Sequence, residues 1–228
     1  MSREGLVKME KDLRKSFDGL LNDLKTKMIE MFDLVIIAYE NIFDALEKMD
    51  SKKAQAVIDN DKIINEKENT INEFAYLVIL KQCPVARDLR LILSSLKIAT
   101  DLERMADYAT NCGMYILKTD QVDKAYNNEL TKYKNYLLDM LNTIKLAYDE
   151  NDVSRAFEVC EKDNHIDQLY RKQLDEFVEV AKTMTDEKAE EASRALLVIK
   201  QLERAGDHMT NIAEQIIYLK GGKIVELN

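Results

Sequence analysis

Thr100-Asp101-Leu102-Glu103-Arg104-Met105-Ala106-Asp107-Tyr108-Ala109-Thr110-Asn111 is matched one hundred positions later by Lys200-Gln201-Leu202-Glu203-Arg204-Ala205-Gly206-Asp207-His208-Met209-Thr210-Asn211. Leu, Glu, Arg, Asp, Thr and Asn recur at identical places, so the stretch is a repeated signature, Leu-Glu-Arg-x-x-Asp. A second correspondence, at an offset of 102, sets Val57, Asp61, Ile64 and Asn65 against Val159, Asp163, Ile166 and Asp167. The two-residue difference is what one small length change between helices produces. The chain therefore reads as a duplication of one unit, residues 1–118 followed by residues 119–228.

Composition says what that unit is made of. One proline, six glycines and no tryptophan in 228 residues leave little material for the turns of a β-rich fold. With 46% hydrophobic and 33% charged residues, the balance is that of long amphipathic helices. The expected fold is all-α: two tandem three-helix bundles, six long antiparallel helices in all.

Punctuation divides the helices. The first runs from about Glu4 to Lys48, with Leu20, Leu21, Leu24, Met28, Met31, Leu34 and Val35 at three- and four-residue steps and a loosening at Gly19. Asp50-Ser51 offers an N-cap for a second helix reaching about Gln82, and Pro84 is expected at the first position of a third. That helix continues to about Lys118, with a break at Thr119-Asp120. A fourth covers roughly Val122 to Glu150, and Asn151-Asp152 opens a fifth ending near Thr183. Thr185 followed by Asp186 and Glu187 starts the sixth, which Gly221-Gly222 stops.

Several function classes are disfavoured at this level. A net charge of −9 without a dense Lys/Arg cluster argues against a nucleic-acid binder. The N-terminus leads into a charged helical pattern rather than an apolar leader, and no apolar run approaches the ~18–20 residues that span a bilayer. Cys83, Cys112 and Cys160 are odd in number and lack a CxxC pairing, as expected of reduced thiols. The expected location is the cytoplasm. A carboxylate-bridged di-iron enzyme needs Glu-x-x-His motifs, but Lys162 and Ala205 stand three positions before His165 and His208. No nucleophile motif, P-loop or glycine-rich phosphate cradle is present, so the chain is expected not to be an enzyme.

The acidic residues of the signature invite a different chemistry. At about 100° per residue, Glu203 and Asp207 lie within about 40° of one another, as do Glu103 and Asp107. The apolar stripe Val198, Leu202, Ala205, Met209, Ile212, Ile216 is centred more than about 90° away, so the carboxylates are expected beside the core seam and not buried beneath it. Two readings stand side by side. In one, Lys200 and Arg204 neutralise an ordinary solvated face. In the other, the i,i+4 pair on this helix and the pair Asp163, Asp167 on the preceding one converge four carboxylates on a metal ion. All-oxygen ligation suits iron, manganese, magnesium or calcium better than a soft metal; zinc completes the candidates. The first repeat is the weaker site, since Asn65 brings an amide where Asp167 brings a charge. Arg104 and Arg204 are each placed to neutralise the aspartate three residues on or to help hold an anion. His208 reads as a solvated helix histidine, the alternative being a metal ligand.

The paired signatures Asp101–Asn111 and Gln201–Glu214 resemble those of the PhoU family. Gln82-Cys83-Pro84-Val85-Ala86-Arg87-Asp88-Leu89-Arg90 resembles that family's Pro-x-Ala-x-Asp-Leu-Arg segment, and the resemblance covers essentially the whole chain. It implies a cytoplasmic regulator of phosphate uptake and phosphate-starvation signalling. The implied partners are a phosphate ABC transporter ATPase and a sensor histidine kinase, with homodimers common, and the membrane is reached only through these partners. By motif match it implies metal ligands at Glu103 and Asp107 with Asp61, and at Glu203 and Asp207 with Asp163 and Asp167. Ala106 departs from the glycine found at Gly206. The competing function is a metal-storage or buffering bundle without a signalling role.

Overall fold

A computed structural model describes residues 3–118 and 124–222, with side chains over 14–118 and 130–222. Six helices make up the described chain: α1 (Arg3–Lys48), α2 (Ser51–Gln82), α3 (Ala86–Lys118), α4 (Lys124–Glu150), α5 (Val153–Ala181) and α6 (Asp186–Gly221). No strand occurs among the described residues, and none of these helices is long and apolar enough to cross a membrane. The expected break at Thr119-Asp120 and the start at Val122 lie outside the described residues.

The duplication is visible in the turns as well as in the motifs. Asp50 Oδ1 accepts from the backbone N–H of Lys52 (3.0 Å) and Lys53 (3.1 Å), capping α2. Asp152 caps α5 in the same way through Ser154 (2.9 Å) and Arg155 (3.4 Å). The residue before each cap takes a left-handed conformation, Met49 at φ 50° and Asn151 at φ 52°. Thr185 precedes α6 as expected, although its hydroxyl makes no capping bond. Gly222, at φ 65°, closes α6 with its N–H on the Tyr218 carbonyl at 2.8 Å.

Pro84 departs from its expected place, because α3 begins only at Ala86. Cys83 ends α2 in the left-handed conformation (φ 45°), its N–H bonding the Ile79 carbonyl at 3.0 Å. With a non-glycine residue turning the chain there, Pro84 falls in the connection, and Ala86 also takes a positive φ of 46°. α5 likewise stops at Ala181, two residues early, where the Thr183 N–H turns back to the Val180 carbonyl.

α1, α3, α4 and α6 form the centre, where α1 packs on α4 and α3 on α6. Among the described residues, α2 packs only on α1 and α3, and α5 only on α4 and α6. The apolar residues of both halves merge into one continuous core, from Leu24, Phe32 and Tyr39 through Leu102 and Met105 to Leu141, Leu202 and Met209. Among its buried hydroxyls, that of Tyr39 donates to the Met105 carbonyl at 2.9 Å, and those of Tyr148 and Ser95 bond each other at 2.9 Å.

The α3–α6 seam is antiparallel and nearly two-fold symmetric. Asn111 Nδ2 donates to Gln201 Oε1 at 3.3 Å, and the residues one repeat away, Asn211 and Asp101, make the same bond at 3.5 Å. Tyr108 and His208, also equivalent, meet between them with hydroxyl and Nε2 3.1 Å apart.

Candidate metal centre

The second repeat brings its acidic residues together where α5 lies on α6. Carboxylate oxygens of Asp167, Glu203 and Asp207 all fall within 4.8 Å of one another, the only group of three or more His, Cys, Asp or Glu ligands so placed among the described residues. Asp163 forms the floor beneath them, only 6% exposed. Its Oδ2 accepts from the Thr210 hydroxyl at 3.0 Å, while its Oδ1 is buried with no hydrogen-bond partner.

Gly206 makes this approach possible. A Cβ at that position would stand far inside van der Waals contact of Asp163 Oδ1. The glycine therefore clears the helix surface so that a carboxylate from the neighbouring helix can rest against it.

The cluster is costly without a cation. Burial pushes the Asp163 carboxyl up to about 7, opposed by the Thr210 hydrogen bond and reinforced by the charges of Asp207, Asp167 and Glu203. Asp207 is raised for the same reasons, burial first and then the charges of Glu203 and Asp167. Lys200 gives partial relief, its ammonium 2.5 Å from Glu203 Oε2 and 4.7 Å from the centre of the Tyr170 ring. An orphaned buried carboxylate oxygen beside three clustered carboxylates is a donor set that fits a hard cation, with charge and oxygen ligands both supplied.

The expectation that the signature carboxylates escape burial is overturned for Glu203. Glu203 is 8% exposed and Asp163 6%. The helical wheel measured distance from one apolar stripe, but α6 has a second covered side, where α5 lies along it. The face away from the central core is therefore still inside the protein.

The first repeat does not assemble an equivalent cluster. Asn65 Nδ2 donates to Asp61 Oδ2 at 3.2 Å, leaving Asp61 Oδ1 and Asn65 Oδ1 buried without partners. Asp61 and Ala106 instead border an apolar cavity of about 130 Å³ between α1, α2 and α3. Arg104 reaches both signature acids, at 3.3 Å from Asp107 and 3.7 Å from Glu103. Burial raises the Asp61 and Glu103 carboxyls, with the Asp107 charge adding to both. Without a second charge on α2, and with a methyl where Gly206 leaves room, the four-carboxylate arrangement has no counterpart here.

His208 is half-buried and stands outside the carboxylate cluster. Its Nδ1 lies 2.8 Å from Asp101 Oδ1 and its Nε2 bonds the Tyr108 hydroxyl, so it belongs to the α3–α6 seam. Arg204 lies over the Tyr108 ring at 5.9 Å. Thr210 and Gly206 were visible as parts of the signature, Thr110/Thr210 even as a repeated pair. Nothing in a single helix shows that these positions meet a carboxylate from another.

With this geometry in hand, comparison with known proteins is direct. The family model described as "PhoU domain" matches the chain twice, over residues 28–116 and 130–216. A relative from Clostridium acetobutylicum, named phosphate-specific transport system accessory protein PhoU homolog, is 34% identical over 94% of this chain and 99% of its own length. A Xylella fastidiosa protein of the same name is 31% identical over 92% and 88%. The crystal structure of PhoU from Pseudomonas aeruginosa aligns with a TM-score of 0.86 at 30% identity, covering 91% of this chain and 100% of that one. That of the phosphate transport system regulatory protein PhoU from Streptococcus pneumoniae gives 0.85 at 26%, covering 92% and 99%. Two matches to one model, one in each half, are what the doubled Leu-Glu-Arg-x-x-Asp signature demands, and the chain belongs to the PhoU family.

Proposed function

We propose that this chain is a cytoplasmic regulator of phosphate uptake and phosphate-starvation signalling, and not an enzyme. It docks between the ATPase of a phosphate ABC transporter and a sensor histidine kinase, as a homodimer, and meets the membrane only through those partners. Family membership carries this reading, since relatives matching nearly the whole chain are named accessory proteins of phosphate-specific transport systems.

The same proposal assigns a metal ion to the second repeat, held by Asp167, Glu203 and Asp207 with Asp163 at its floor. The ion would supply positive charge to a cluster that burial and mutual repulsion otherwise disfavour. Asp61, Glu103 and Asp107 would make a weaker second site. A metal-storage role is the competing reading, and three clustered carboxylates per chain favour a site for few ions over a store for many.

Two measurements test these assignments separately. Affinity capture with the full chain, at high and at low phosphate, is expected to recover the transporter ATPase or the kinase; recovery of neither under both conditions sinks the adaptor role. Elemental analysis of wild type and of Glu203→Ala/Asp207→Ala, with helicity checked by circular dichroism, is expected to show metal lost with the fold retained. Many ions per chain would instead support storage.

A further inference from the structure

The other end of the molecule carries the opposite charge. Where the start of α3 meets α1 and the end of α6, a cavity of about 730 Å³ opens between the helices. Arg14, Lys25, Arg87, Arg90 and Lys220 line it, against only two carboxylates, Asp18 and Asp88, in a protein whose net charge is −9. Local charge thus runs against the charge of the whole.

The acids present do not neutralise the cavity evenly. Both pair with Arg14, Asp18 at 2.9 Å and Asp88 at 2.7 Å. Lys25 is held by Asp149 at 2.7 Å. Arg87, Arg90 and Lys220 make no ion pair among the described residues, and Arg90 Nε is buried without a hydrogen-bond partner. The Arg90 guanidinium carbon stands 3.4 Å from where a Cβ of Gly222 would be, so it lies against the closing turn of α6. The first turn of α3, which carries Asp88, opens beside these side chains and adds its backbone N–H groups to three cations that have no ion pair among the described residues.

Three unpaired cations facing one space repel one another, and a multivalent anion between them removes the repulsion. Two of the three are guanidinium groups, whose planar forks match the oxygens of a phosphoryl group. We propose that this cavity binds a phosphoryl anion, either inorganic phosphate itself or the phosphate chain of a larger molecule such as a nucleotide. The volume falls in the range of small-molecule sites and exceeds what a single phosphate fills, so both sources are tested. The site is distinct from the carboxylate cluster: Lys220 lies about 25 Å along α6 from Glu203. The assignment rests on the cavity alone and stands or falls independently of the adaptor reading.

The test is calorimetric titration of the full chain, stripped of metal and kept in EDTA so that no phosphate binds through a cation. Inorganic phosphate and ATP are titrated separately, with chloride and sulfate as comparison anions. Saturable binding of either phosphoryl probe is expected, weakening steeply with salt and at least tenfold weaker in Arg87→Gln/Lys220→Gln. Both of those side chains are exposed, so the double variant is expected to keep wild-type helicity. Binding should be unchanged in Glu203→Ala/Asp207→Ala. Preference for phosphate over ATP identifies the free anion as the ligand, and the reverse preference identifies a nucleotide-type phosphate chain. Binding of neither, chloride competing as well as phosphate, or full affinity in the double variant overturns the proposal.

Discussion

At Gly206 two ordinary rules of helix energetics point in opposite directions. Replacing a mid-helix glycine by alanine stabilises a helix by up to about 1 kcal/mol. Here the new methyl would collide with Asp163, breaking the bond to Thr210 or displacing the carboxylate, and overpacking of this kind costs about 1–3 kcal/mol. Gly206→Ala is therefore expected to lower the melting temperature slightly and to weaken metal binding at least tenfold; a raised melting temperature with full metal affinity would show that Asp163 is not held as described. Asp163 itself gives a pH signature. Its carboxyl titrates near 7 in the fold against an ordinary value of 3.8, so between those values the folded state holds a proton that the unfolded state lacks. Stability of the metal-free protein should thus fall as pH rises from about 4 to about 7, with no further loss from this group above that. Because a bound cation must displace that proton, metal affinity should fall as pH drops below about 7. Urea unfolding in EDTA at several pH values checks the first point, and the slope due to Asp163 should vanish in Asp163→Asn. The identities of these acids were legible in the chain because they repeat; their burial was not, since it depends on a neighbouring helix that no single-helix projection contains.

Among the helices, the paired caps give a comparison internal to one molecule. Asp50 and Asp152 hold the starts of α2 and α5 by the same two backbone bonds, so removing either carboxylate should cost about 1 kcal/mol. Asp152→Ala is expected to do more to the candidate metal centre than Asp50→Ala at equal loss of stability, because α5 carries Asp163 and Asp167. Thermal unfolding with and without added metal separates the two effects: Asp152→Ala should also reduce the stabilisation that metal confers. These caps were readable from Asp-Ser and Asn-Asp at the breaks. The α2–α3 turn was not, because Cys83 and Ala86 adopt left-handed conformations that their side chains do nothing to advertise.

For the molecule as a whole, the core shared by the two tandem bundles has a thermodynamic meaning that two isolated bundles would not have. Separate bundles could unfold in two steps, whereas a core running through α1, α3, α4 and α6 couples them. Calorimetry is expected to show a single transition with calorimetric and van't Hoff enthalpies in agreement. Metal at about 100 times its dissociation constant should raise stability by about 2.7 kcal/mol, shifting the whole transition and not one part of it. The duplication legible in the sequence carries no statement about this coupling. Apolar positions say that a helix face is covered, and only the three-dimensional arrangement says by which helix.

The α3–α6 seam also speaks about ancestry. Asn111 with Gln201 and Asn211 with Asp101 are the same contact made twice about one axis, so the surface is complementary to a copy of itself. A lone three-helix ancestor bearing this face could have paired with its twin, and fusion of two genes would preserve that pairing inside one chain. Fusion also releases each copy from the obligation to be identical. A glycine could then be kept at 206 while alanine stands at 106, and an aspartate at 167 while asparagine stands at 65. One half thereby holds the charged cluster, while its sister keeps the signature without assembling it.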